Sequence, residues 1–189
     1  MRGEGKMFDF SRLEEKVSIE AHQNYWKDWY SEETEQLGNI FDENLFAFEH
    51  IGSSAVKRLY SKPIVDILVG LKEFAITDLQ ICQLENFGYE YFGQLHVDQK
   101  RFFARKRKER NFNLQIVPHS ANVWNEHVAF RDYLRTHPEK VKIYSEIKKE
   151  AISLEKNNLL SYHEHKEALV KRLLLEALEW KHFNGTPEH

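Results

Sequence analysis

Within one stretch of this 189-residue chain, Phe48 to Leu71 (FEHIGSSAVKRLYSKPIVDILVGL), lie residues that together could handle a phosphate. Ile51 ends an apolar run and Gly52 follows. Glycine lets an anion approach the backbone closely, and the hydroxyls and N–H groups of Ser53 and Ser54 can bind its oxygens. Lys62-Pro63 leads straight into the next apolar run, which brings an ammonium to the same end of a sheet. Asp66 stands inside that run, where a carboxylate is unfavourable unless it is paired, hydrogen-bonded or bound to a metal. A phosphate cradle beside a carboxylate able to hold Mg²⁺ is the minimum for phosphoryl or nucleotidyl transfer. A Gly-Ser turn is common, however, and a strand aspartate can equally cap a neighbouring helix, so spacing alone leaves both readings open.

Other groups are candidates for ligand contact. His50 precedes the glycine and His119 follows the segment Asn111–Val117, in which Asn113 and Gln115 alternate with Phe112, Leu114 and Ile116, placing amides on one face. Arg131 and Arg135 are four apart and share a helix face, so they can grip an anionic end or pair with Asp132 and Glu139. Lys166 stands between Glu164 and Glu167 and is either a ligand contact or a solvated side chain. The segment Lys100–Arg110 holds seven basic residues against one acid, with Phe102 and Phe103 interleaved. It is either a solvated hairpin tip or a grip for a phosphorylated ligand or RNA. No HExxH or CxxC occurs, and His163 and His165 point to different helix faces. Cys82, among Leu79, Leu84 and Phe87, is expected to fill core.

These groups need elements to position them. Apolar and aromatic residues from Trp26 to Phe41 recur at helical spacing, predicting a helix from Tyr25 to about Asn44. Leu45–Ile51 and Ile64–Leu71 predict strands, with a short helix after the Gly-Ser turn. A modest helix over 75–87 and an aromatic strand after Gly88 follow. Arg101–Arg105 and Phe112–Val117 predict two more strands. From Asn122 the pattern is helical. Pro138 starts a second helix whose inner face is expected to be Tyr144, Ile147, Ala151 and Leu154, and a third runs from about Tyr162 to His182. Val17–Glu20 predicts one further short strand.

Several of these segments resemble one family. HIGSSAV followed by SKPIVDILV resembles the GrpB hallmark, a His-Ile-Gly-Ser turn followed by Lys-Pro-Ile and an aspartate. FRDYLRTHP at residues 130–138 resembles that family's Phe-Arg-Asp helix pair, and Tyr162 with Lys166 its Tyr-x-x-x-Lys element. The similarity runs in order from about Val17 to Trp180. It implies a fold similar to the nucleotidyltransferase superfamily, where a Gly-Ser turn holds a nucleotide triphosphate and strand acids bind two metals. Carried over, Gly52 and Ser53 are the phosphate turn, with Ser54 and Lys62 beside them, and Asp66 is the first metal carboxylate. The pattern's second acid falls on Leu68, and the counterpart of its third is Asn113 or Gln115. Neutral amides offset little of the charge of two Mg²⁺ ions. One Mg²⁺ held by Asp66 and substrate phosphates, and nucleotide binding without turnover, both stand open.

Composition sets the frame. Hydrophobic residues are 41% and charged residues 30%, enough for a core and its surface, and the formal charge of -3 argues against a dedicated nucleic-acid coat. One cysteine points to a reducing, cytoplasmic setting, and no apolar run is long enough for a bilayer. The expectation is an α+β fold: a leader over 1–16, a nucleotidyltransferase-like core with a small mixed sheet over 17–120, and a helical lobe over 121–189 packed on it as one folding unit. The expected function is binding of a nucleotide or phosphate-bearing small molecule, with Mg²⁺-dependent nucleotidyl transfer as its catalytic form. A non-catalytic sensing module and RNA binding through 100–110 are the alternatives.

Overall fold

The structure, a computed structural model, describes residues 16–94, 101–154 and 158–184. Most of the expected leader and Lys100 lie outside the described residues. The chain forms helix α1 (Tyr25–Phe41), strand β1 (Leu45–Ile51), strand β2 (Val65–Leu71), helix α2 (Asp78–Asn86) and strands β3 (Glu90–Gln94), β4 (Phe102–Arg107) and β5 (Asn111–Pro118). Helices α3 (Asn122–Thr136), α4 (Pro138–Ser153) and α5 (Leu159–Asn184) complete it. The strands make one mixed sheet in the order β1-β2-β5-β4-β3, with β2 and β5 parallel and the other pairs antiparallel. This is the α+β architecture the sequence predicts.

The period of two along β2 and β5 gives the sheet two unlike faces. Val65, Ile67, Val69 and Leu71 of β2 and Phe112, Leu114 and Ile116 of β5 are fully buried against Trp26, Leu37, Ile40 and Phe41 of α1 and Leu84 of α2. The opposite face carries Asp66, Leu68 and Gly70 beside Asn113, Gln115 and Val117, paired in register. Its far end is closed by Trp124 of α3, which lies so tightly on Gly70 that a Cβ there would stand 2.7 Å from the indole ring. Leu68 joins Ile51, Val117 and Trp124 in this plug. The three C-terminal helices share a separate core, built around Leu59, Ala129, Leu134, Tyr144, Leu173 and Ala177. Between that core and the polar half of the sheet face a cavity remains.

Four local expectations are corrected. The short helix after Gly52 is a single 3₁₀ turn, Ser53–Ala55, because Val56 already returns to extended backbone. Val17–Glu20 forms no strand: Glu20 makes a single isolated bridge with Ser61, and Lys16 just before the segment makes another with Asn158. Cys82 is exposed on α2 rather than core filler, with Leu84 taking the inward position. On α4 the buried face is Val141, Tyr144, Ser145, Lys148 and Ala151, and Leu154 lies beyond the helix and is exposed.

Two histidines, one buried and one half-buried, couple the fold to pH. Burial, with Arg135 and Arg131 nearby, holds His50 down at about 3, and burial and Arg101 hold His127 down at about 4. Both stay neutral in the fold while the unfolded chain protonates them near 6.5. The unfolded state therefore binds more protons below that value, and stability falls as the pH drops through it. Each should remove on the order of 1–2 kcal/mol by pH 5. Urea midpoints from pH 7.5 to 5 should decline, and His50→Gln should flatten the slope.

Candidate functional site

A cavity of about 500 Å³ opens between the sheet's polar face and helices α3, α4 and α5. That volume suits a ligand of small-metabolite to nucleotide size. Its wall at the C-terminal end of β1 is the Gly-Ser turn. Gly52 has φ +70° and ψ -167°, a conformation open essentially to glycine alone. It also abuts Asp66 closely: a Cβ at Gly52 would lie 2.5 Å from Asp66 Oδ2. The turn and the strand carboxylate are thus one unit, brought together because Ile51 pairs with Asp66 across β1 and β2. Ser53 then faces the cavity, while Ser54 turns away and shares a 3.0 Å hydrogen bond with His50 Nε2.

Of the residues singled out in the sequence, the cavity gathers Gly52, Ser53, Lys62, Asp66, Asn113, Gln115 and Lys166. Lys62 sits in the loop before β2, and Lys166 one turn beyond Tyr162 on α5. Their ammonium groups stand 5.8 and 5.5 Å from the Tyr162 ring centre. Arg105 and Arg107 of β4 also line the cavity.

The other candidates lie elsewhere. His50 is buried and stacked on Tyr30 at 4.9 Å. His119 stacks on Phe46 at 4.0 Å, at the far end of β5. Arg131 is 7% exposed, pairs with Glu49 and Asp132 and donates to the His50 carbonyl. Arg135 donates to the Ala55 carbonyl at 3.1 Å. The two arginines therefore bracket the Gly-Ser turn from α3, one holding the backbone before it and one the backbone after it. Their shared helix face holds the backbone on either side of the turn. Within the basic hairpin, Arg105 pairs with Glu90, Lys106 with the buried Glu33, and Arg110 with Glu32.

Of the charged cavity residues that escaped the sequence reading, Lys148 is the most buried. Lys148 of α4, 1% exposed, donates to Ser53 Oγ and to the Tyr60 carbonyl at 2.8 Å, and its ammonium lies 4.2 Å from the Tyr144 ring centre. The signal was its spacing: residues 141, 144, 148 and 151 follow the helical stripe, so one lysine had to face inward.

The charges around Asp66 decide what the site can hold. Burial raises its pKa, opposed by a hydrogen bond from Asn113 Nδ2 at 2.6 Å and by Lys62, Arg107 and Lys166. Burial and its fellow lysines push Lys148 well below the usual lysine range, and burial with Lys62 brings Lys166 down to about 8. A two-metal centre needs further oxygen ligands. The Asn113 side-chain oxygen is taken by Arg107 at 2.6 Å, and the Gln115 oxygen by Arg101 at 2.8 Å. Among the described residues no group of three His, Cys, Asp or Glu side chains could hold an ion. The donor set does not fit two metals, and its surplus of cations suits an anion.

A family model, GrpB protein, matches residues 16–176. The chain belongs to the GrpB family. It is 31% identical over 166 residues to the glutamate-rich protein GrpB of Alkalihalophilus pseudofirmus, covering 85% of this chain and 95% of that protein. It is 27% identical to the UPF0157 protein YqkA of Bacillus subtilis over 88% of its own length but only 48% of that relative's. Among solved structures, conserved protein GrpB from Enterococcus faecalis aligns with a TM-score of 0.78 at 33% identity, covering 86% of this chain and 98% of that one. The Gly-Ser turn, Asp66 and the α3 arginines described above all fall inside the part of the chain that the GrpB model matches. Among the described residues no helix is long and apolar enough to cross a membrane.

Proposed function

We propose that this GrpB-family chain binds the phosphate end of a nucleotide or other small phosphorylated molecule in the cavity beside Ser53, as a ligand-binding module rather than a two-metal nucleotidyltransferase. The observation that carries the reading is the convergence of Lys62, Lys148, Lys166 and Arg107 on one cavity whose lining carboxylates are Glu126 and Asp66, the latter already hydrogen-bonded. Like charges so close disfavour the empty site, and an anion relieves that repulsion. Ser53 supplies a hydroxyl at the same wall, and the body of the ligand would lie toward Phe103, Gln115 and His127. The ion pairs of the basic hairpin with α1 and β3 speak against the RNA reading, because those charges are already met within the fold.

Thermal melting of the whole chain with pyrophosphate and with each nucleoside triphosphate, with and without Mg²⁺, tests this. A ligand at a hundredfold excess over its Kd stabilises by about 2.7 kcal/mol, a rise of roughly 5–10 °C for a chain of this size. The rise should occur without Mg²⁺ and should vanish in Lys62→Met/Lys166→Met. Stabilisation that requires Mg²⁺ and is lost in Asp66→Ala would instead restore metal-dependent transfer.

A further inference from the structure

Lys148 poses a charge problem that the fold does not solve internally. Its ammonium is buried on two neutral acceptors, Ser53 Oγ and the Tyr60 carbonyl, and among the described residues no carboxylate pairs with it. The side chain reaches the cavity from α4, Lys166 reaches it from α5 and Lys62 from the loop before β2, so three elements deliver lysines to one space. Lys166 and Lys62 both repel Lys148, Lys62 repels Lys166, and Asp66 of β2 is the attractive charge that Lys148 and Lys166 feel.

The remaining charged and titratable groups of the cavity do not cancel this surplus. From β4, Arg105 is matched by Glu90, while Arg107 donates to Asn113 and to the Phe112 carbonyl and adds positive charge. From α3 come Glu126 and His127, the latter held neutral. Tyr144 of α4 and Tyr162 of α5 are pushed above the usual tyrosine range by burial and stay uncharged. His163 of α5 is held down at about 4 by burial, Lys166 and Lys62. A buried ammonium without a counter-charge gives up its proton more readily, and an anion placed beside it restores the charged form.

We propose that a tetrahedral dianion seats among Lys62, Lys148 and Lys166 beside Ser53, and that it enters together with a proton taken up by these lysines. This rests on the anion-binding reading and adds regulation to it: the protein, not only the ligand, makes affinity depend on pH. Compact ammonium groups arriving from different sides, with a hydroxyl at the wall, suit the oxygens of a phosphoryl group, which lysine binds as a point charge. The sign follows directly. Above about pH 8 the free site has lost protons that the occupied site holds, so affinity falls as pH rises.

Sulfate is the probe, because it does not itself titrate near neutral pH and any proton uptake then belongs to the protein. Calorimetry of the whole chain with sodium sulfate at pH 8, in buffers of different ionisation enthalpy, should show a buffer-dependent heat. The uptake should lie between about half a proton, from Lys166 alone, and one and a half, when Lys148 contributes. The association constant should fall by up to about tenfold for each pH unit above 8 where Lys166 alone takes up the proton, and by up to about a hundredfold where Lys148 contributes as well. Lys166→Met should reduce the uptake by about half a proton. Buffer-independent heat with an affinity flat from pH 7 to 9.5 would overturn proton uptake and leave the anion site standing. No binding of sulfate or pyrophosphate by the wild-type chain at any pH from 6 to 9 would overturn the anion site as well. Undiminished uptake in Lys148→Met/Lys166→Met, shown to be folded by its melting curve, would place the seat elsewhere and overturn both.

Discussion

Gly52→Ala is expected to lower stability by about 3–4 kcal/mol, the largest single effect foreseen for the site. Two separate penalties act. At φ +70° and ψ -167° a residue with a Cβ is strained by about 1–3 kcal/mol. The new methyl would also stand 2.5 Å from Asp66 Oδ2. Asp66 cannot simply swing aside, because its other oxygen is held by Asn113 at 2.6 Å. Overpacking of that kind adds about 1–3 kcal/mol. The melting temperature should fall by on the order of 10 °C, and anion-induced stabilisation should fall with it, since Ser53 is displaced. The two penalties can be separated. In an Asp66→Ala background the overlap with the carboxylate disappears, while the backbone strain and a 3.1 Å approach to the remaining Cβ persist, so Gly52→Ala should then cost about 1–2 kcal/mol less. Additive losses in the double variant would show that the turn and the carboxylate do not touch, and the site as described would fall.

Arg131→Met should destabilise by about 2–3 kcal/mol yet leave the anion affinity of the folded fraction nearly unchanged. Arg131 is buried on α3 and ties Glu49, the His50 carbonyl and Asp132 together. Removing one member of a buried ion pair leaves its partners desolvated without a counter-charge, an effect of about 3–5 kcal/mol when both partners are fully buried. Here Glu49 and Asp132 are about a third exposed, at 32% and 37%, so water offsets part of the loss. Denaturant unfolding gives the stability, and titration with pyrophosphate well below the transition gives the affinity. A variant of normal stability that no longer binds would return Arg131 to the ligand. Arg135 should behave alike with a smaller effect, because its side chain is 44% exposed and its bond to the Ala55 carbonyl is the main tie.

Much of the site was legible because its parts are neighbours in the chain. Gly52, Ser53, Lys62 and Asp66 fall on two adjacent strands and the loop between them, so strand periodicity already placed them together. The amide face of Asn113 and Gln115 followed from a period of two. The bonds those amides make were not legible, since Arg107 ends β4 and Arg101 immediately precedes it, and β4 pairs with β5 only in the folded sheet.

The sequence by itself determined the family, the five strands of the sheet and the long helices, the turn that only glycine can make and the aspartate beside it. Those features depend on local backbone sterics and on short-range patterning of apolar residues. Only the tertiary structure decided which cations serve the cavity and which serve the frame. Lys148 and Lys149 are adjacent and alike in type, yet helix α4 buries the first against Ser53 and leaves the second on the surface paired with Glu146. Arg131 and Arg135, by contrast, carry charge but clasp the turn from outside the cavity. A charged side chain's role is set by what lies across from it, and that partner is supplied by packing between elements far apart in the chain.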